Sequence, residues 1–259
     1  MSTVVSAGRE IPGPPVAFNT QDWWVRGKGL FEASSVIVGT IFGEVFENVI
    51  ENTGIKPAVK YSGARMALNR PMDRWVISEN RTFLVGLADG RVFLHSVRAL
   101  PGDIQPAVKL SGPPVAARPP DKHVLMVGHQ GGFDIVVILH DGGVFVHRLT
   151  SSGGSAPVIG SAVKATGPPV AFNTVDRWVI TGRVNPNNPR QEIFVINSDG
   201  AVFSHPYNAN PGGVPSVGAA NKLTGPPVAS NAHDRWVLMS GGRIVVITDR
   251  GKVFLHDVS

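Results

Sequence analysis

"TGPPVAFNTVDRWVI", residues 166–180, returns 58 positions later as "TGPPVASNAHDRWVL", residues 224–238. Looser copies read "PGPPVAFNTQDWWV" from Pro12, "SGARMALNRPMDRWV" from Ser62 and "SGPPVAARPPDKHVL" from Ser111. Each leads into an apolar run, a turn and a Val-Phe pair, namely "GEVFEN", "DGRVFLH", "DGGVFVH", "DGAVFSH" and "RGKVFLH". The aligned phenylalanines are Phe46, Phe93, Phe145, Phe203 and Phe254, spaced by 47, 52, 58 and 51 residues. A period of about 50 residues with several strands per unit marks a toroidal or solenoid array.

Within one unit, "RWVIT" (177–181), "EIFVIN" (192–197) and "AVFSHPY" (201–207) are short, β-branched and aromatic, and "NPNNP" and "SDG" separate them. These are strand and hairpin signals. A fourth segment, "AVKY", "AVKL", "AVKA" or "ANKL", precedes four of the phrases. Prolines follow it closely, so it is expected at a sheet edge. Four antiparallel strands make one propeller blade. The last copy stops at "VFLHDVS" without this segment, and "REIPG" near the N-terminus aligns with "VKLSG". The expected fold is therefore all-β: a five-bladed β-propeller of four-stranded blades, closed by the N-terminal strand joining the C-terminal blade. Such closure hides sheet edges. One domain over residues 1–259 is expected, with repeats near 12–61, 62–110, 111–165 and 166–223, and the last formed by 224–259 plus 1–11. The five phenylalanines are expected in the core between blades.

Composition agrees with this reading. Thirty Gly and 21 Pro among 259 residues favour many turns over a helical bundle. No apolar run approaches the roughly 20 residues of a membrane span, so no membrane insertion is expected. The start, "MSTVVSAGREIPGPP", has neither a basic nor an apolar signal region. A cytoplasmic protein, or one exported without a recognisable signal, is expected. Without cysteine there is neither disulfide nor thiolate chemistry. The net charge of +5 brings nonspecific attraction to nucleic acid at low salt. Many of the cations recur once per unit, however: Arg74, Arg177 and Arg235, then Lys60, Lys109, Lys164 and Lys222. Spread around a ring they form no stripe that tracks a backbone, and no specific nucleic-acid binding is expected.

The residues able to carry chemistry repeat as well. Asp22, Asp73, Asp121, Asp176 and Asp234 occupy one position, and Trp24, Trp75, Trp178 and Trp236 follow in four copies, with His123 in the third. Asn19, Asn69, Asn173 and Asn231 stand just upstream, with Arg118 in the third copy. His95, His147, His205 and His256 close the Val-Phe strand, with Asn48 in the first. These histidines are read as structural groups, bonded to the Asp or the indole N–H. The tryptophans are read as packing, and the Asp as either a binding residue or a tether within the blade. The eight histidines show no zinc spacing, and the "DGG" and "DRG" turns carry no calcium-loop series. No G-x-S-x-G elbow, phosphate loop or dinucleotide fingerprint occurs. No catalytic residue, metal or cofactor is expected. An active site needs an acid and a base in different environments, whereas these polar groups recur in equivalent ones.

Five short repeats with Asp-x-Trp, Gly/Pro-rich turns and a ring-closing terminal strand resemble the tachylectin-type propeller lectins. The resemblance implies one equivalent sugar pocket per blade, near the junction between blades, and glycans or glycoconjugates as partners. The implied sugar-binding residues are Asn19 and Asp22; Asn69, Asp73, Arg74 and Trp75; Asn173, Asp176, Arg177 and Trp178; and Asn231, Asp234, Arg235 and Trp236. Asp and Asn would fix hydroxyls, Arg would fork onto an acidic group, and an indole face would stack on a sugar ring. The third copy, with neither Asn nor Trp, would be the weakest. The alternatives are a protein-interaction scaffold working through nonrepeated loops such as residues 183–192, and a propeller glycosidase.

Overall fold

Runs such as "IVVIL" and "RIVVIT" lack the alternation of a half-exposed strand, and they become central strands covered on both faces. The computed structural model describes residues 3–16, 22–30, 33–66, 75–79, 82–98, 102–116, 121–129, 132–151, 156–170, 176–182, 191–228, 234–240 and 242–259. Blade 1 comprises Asp22–Leu30, Ala33–Thr40 and Val45–Glu51, and blade 2 Trp75–Glu79, Thr82–Gly86 and Val92–Arg98. Blade 3 comprises Asp121–His129, Gly132–Leu139 and Val144–Thr150, and blade 4 Asp176–Gly182, Gln191–Asn197 and Val202–Asn208. Blade 5 comprises Asp234–Ser240, Arg243–Thr248 and Val253–Asp257. The first strands neighbour one another in the order 1-2-3-4-5-1 and form the inner wall of a ring.

The outer strand of blades 1 to 4 is split into two short pieces, both paired with the third strand. In blade 1 these are Gly54–Ile55 and Val59–Lys60, and in blade 3 Val158–Ile159 and Val163–Lys164. Only the second piece, carrying the repeated Lys, was legible in the sequence. Blade 5 takes its outer strand from the N-terminus, where Arg9, Glu10 and Ile11 pair with Leu255, Phe254 and Val253. Glu10 thus occupies the register held by Lys60 opposite Phe46.

The repeated phrase is a strap between blades. Its first residues bond the outer strand of the blade ahead: the Ile159 N–H donates to Ser111 O and the Val217 N–H to Thr166 O, each at 2.8 Å. Its tip bonds the turn of the blade behind. The N–H groups of Val16, Met66, Val115, Val170 and Val228 donate to the carbonyls of Gly251, Gly43, Gly90, Gly142 and Gly200 at 2.8–3.0 Å. Glycine is required where the strap crosses the next blade. Gly167 has φ +120°, and a Cβ there would overlap the Val217 carbonyl. Prolines in the strap cost no ladder bond because they precede the innermost strand. All five tip side chains are buried, with Val16, Val115, Val170 and Val228 at 0% exposure. Each stabilises the junction by roughly 1.5–3 kcal/mol.

Five apolar clusters fill the five blade junctions. The repeated phenylalanines were expected inside them, and the structure corrects this. All five are only half-buried, and four (Phe93, Phe145, Phe203 and Phe254) lie against the flanks of clusters. The fully covered position is the preceding valine, Val45, Val92, Val144, Val202 or Val253. The cause is radial: the Phe pairs directly with the short outer strand at the rim, opposite Lys60, Lys109, Lys164, Lys222 or Glu10.

Candidate functional site

In each blade the first strand starts on the face that carries the turn between the second and third strands, because strap and turn are bonded there. This face is called upper. The strand begins with an irregularity in all four blades whose start is described. Asp22 pairs with Thr40 and Trp24 with Gly39; Asp121 with Leu139 and His123 with Ile138. Asp176 pairs with Asn197 and Trp178 with Ile196; Asp234 with Thr248 and Trp236 with Ile247. One residue is extra each time, namely Trp23, Lys122, Arg177 and Arg235. This is a β-bulge, a device that bends a strand and re-aims a side chain at a rim. The bulges and the aspartates before them lie at one mouth of the ring. Asn19, Asn69, Asp73, Arg74, Arg118, Asn173 and Asn231 lie outside the described residues.

Trp75, Trp178 and Trp236 belong to the junctions. Trp75 is 7% exposed and packs with Ile77, Leu84, Met126 and Ile135 between blades 2 and 3. Its indole lies over Gly86, its cross-strand partner, where a Cβ would overlap the ring. Trp178 and Trp236 are half-buried against the clusters between blades 4 and 5 and between blades 5 and 1, respectively. Stacking of an open sugar ring on Trp75 therefore has no accessible indole face.

The repeated histidines are latches to the outer strand. His95 Nδ1 bonds Gln105 O at 2.9 Å, His147 Gly160 O at 3.0 Å, His205 Gly218 O at 3.1 Å and His256 Ser6 O at 3.0 Å. In blade 1 the Asn48 amide donates to Lys56 O at 3.2 Å. Each accepting residue sits between or beside the outer pieces and also donates its N–H to the carbonyl after the histidine, as with Gly160 to Arg148 O at 2.8 Å. On the Nδ1 side the partner is thus a main-chain carbonyl rather than an Asp or an indole N–H. Burial pushes His95, His147 and His205 below the ordinary histidine value, and the carbonyl bonds pull weakly the other way.

Other polar groups at the junctions also hold blades together. Asp134 of blade 3, at 0% exposure, accepts from the Tyr207 hydroxyl of blade 4 at 2.9 Å and from Arg148 Nε at 3.4 Å. Arg148 continues to Ala209 O at 2.6 Å, and burial beside Asp134 pushes the Tyr207 phenol up. The Arg26 guanidinium of blade 1 donates to Val76 O of blade 2, and burial lowers it to about 10. Sequence reading missed Arg26, although an arginine where the aligned copies carry Ile77, Leu125, Ile180 and Leu238 was a visible signal. Among the described residues, no three His, Asp or Glu side chains gather in a metal-binding group.

No protein-family model matches the chain, and no curated protein matches it in sequence. Among solved structures, Myxococcus xanthus glutaminyl cyclase is similar at 14% identity and TM-score 0.49, covering 99% of this chain and 97% of that one. A triple arginine-to-alanine mutant of AofleA from Arthrobotrys oligospora gives 10% identity and TM-score 0.48, covering 91% and 67%. A GH43_1 enzyme from Xanthomonas citri gives 10% and 0.47, covering 95% and 89%. The fold assignment rests on the strand order of this chain itself.

Proposed function

We propose that the chain is a multivalent, non-catalytic carbohydrate-binding propeller, a lectin with one sugar site at the start of the first strand of each competent blade. The carrying observation is the recurrence of the same bulge after the same Asp in blades 1, 3, 4 and 5, all at one mouth of the ring. An Asp followed in the chain by the bulged Arg177 or Arg235 offers the acceptor and donor types that vicinal hydroxyls need. The equivalence of the sites argues against an active centre, which needs groups in different environments.

Each shallow site binds weakly, and several on a rigid ring gain roughly 10²–10⁴ in avidity on a matching surface. Blades 2, 4 and 5, with Asn69, Asn173 and Asn231 and a full Asp-Arg-Trp, are the competent ones. Asp176→Asn tests the reading. Loss of part of the bound sugar at an unchanged melting temperature supports a pocket. A large fall in stability with sugar binding intact makes Asp176 a tether and sinks the reading.

A further inference from the structure

Of the eight large apolar side chains exposed among the described residues, four are outer-strand valines (Val59, Val108, Val158 and Val163), as expected at blade edges, and Val4 and Val214 stand singly in connecting segments. The other two are adjacent. Ile41 and Phe42, 48% and 58% exposed, sit side by side at the tip of the turn between the second and third strands of blade 1. The same turn has the same length in all five blades. Ala88-Asp89, His140-Asp141, Ser198-Asp199 and Asp249-Arg250 stand where blade 1 has Ile41-Phe42. In three of these the Asp caps the turn from within: Asp89 Oδ1 accepts the Arg91 N–H at 3.0 Å, Asp141 the Gly143 N–H at 2.8 Å and Asp199 the Ala201 N–H at 3.0 Å. Blade 1 has lost that cap, and the Phe42 N–H falls back on Thr40 Oγ1 at 3.3 Å.

A second change accompanies it at the same place. The strap docked on this turn reads Ala64-Arg65-Met66 where the other four read Pro-Pro-Val. Met66 bonds Gly43 of the tip, and the exposed Arg65 helps hold the Glu44 carboxyl below its usual range, after Lys60. Lys60 neutralises Glu44 at 2.6 Å. Compared with the turns that carry an Asp, this one has Phe42 in place of the Asp, its one carboxylate, Glu44, is paired with Lys60, and its strap gains a positive charge in Arg65.

We propose that the Ile41–Phe42 tip is a contact site for an anionic lipid bilayer, entering the interface while Arg65 pairs with lipid phosphate or carboxylate. A convex tip of two adjacent apolar residues suits a fluid phase. A basic residue beside it, on a chain of net charge +5, supplies complementarity to anionic headgroups. Two side chains anchor peripherally. The tip lies on the upper face, so a seated ring turns the bulges toward the same surface. The inference stands without the sugar reading, because its test contains no carbohydrate.

The test is sedimentation of the full chain with phosphatidylcholine vesicles containing one third phosphatidylserine, at physiological salt. Three variants are compared. Ile41→Ala with Phe42→Asp recreates the Ala-Asp tip of blade 2 and so keeps a turn this fold already uses. Phe42→Ser removes the ring without adding charge, and Arg65→Pro restores the strap of the other blades. The wild type is expected to sediment, with both tip variants weakened about tenfold or more and Arg65→Pro losing the preference for phosphatidylserine. A wild type that stays in solution would overturn the proposal. So would Phe42→Ser binding as well as wild type, which leaves net charge alone as the attraction, or tip variants that change only the oligomeric state.

Discussion

His256 Nδ1 lies 3.0 Å from the carbonyl oxygen of Ser6, joining residues 250 positions apart where the ring closes. The other three histidine latches hold an outer strand that a local hairpin already places nearby. This one holds a strand with no such connection, supported by the Arg9–Ile11 pairing and the Lys252–Glu10 ion pair at 3.0 Å. His256→Ala is expected to lower stability by about 1–2 kcal/mol, since it leaves a half-buried carbonyl unmatched. His256→Asn should cost less, because Asn48 makes the same bond in blade 1. Urea unfolding of the three proteins measures the order.

Acid should loosen the latches. Unfolded histidine titrates near about 6.5, and burial holds His95, His147 and His205 lower in the folded chain. Between the two values the unfolded state binds more protons, so stability rises with pH. The full contribution is present above about 6.5 and is lost as pH falls from there toward the folded values. Replacing all three by Asn should flatten this part of the curve, read as the urea midpoint against pH.

Gly86→Ala should be among the most damaging single-methyl additions. The new Cβ meets the Trp75 ring, which is packed between two blades and has nowhere to move. A cost of about 1–3 kcal/mol or more is expected. Trp75 fluorescence should shift red as the indole gains water. An unchanged spectrum and midpoint would contradict the packing described.

Across the junction of blades 3 and 4, Tyr207→Phe should cost about 1–3 kcal/mol by leaving Asp134 Oδ2 short of a donor. Arg148→Ala should cost more, because it strips the neighbouring positive charge from a carboxylate at 0% exposure. Thermal melts rank the two.

The fold was legible because its information is periodic. Phe-x-His, "VK" before the strap and Asp-x-Trp each recur with the blade, and the unmatched "REIPG" revealed the closing strand. What stayed hidden was direction. A sequence shows that His95 and Phe93 share a strand face, yet not that the rim leaves the Phe half-covered and sends the His to a main-chain carbonyl. The "GPPV" phrase marked the repeat without showing its role, and its geometry is a strap whose prolines and glycine serve the crossing between blades. The bulge could not be read either, since one extra residue in a strand leaves no mark in composition.

The most direct test of the central claim is calorimetric titration, at moderate salt, with a sugar chosen from a broad glycan array. The account predicts selective binding, competed by the free sugar, with about three sites per chain contributed by the blades of Asp73, Asp176 and Asp234. A folded protein that gives a blank array, or a single site per chain, would contradict it.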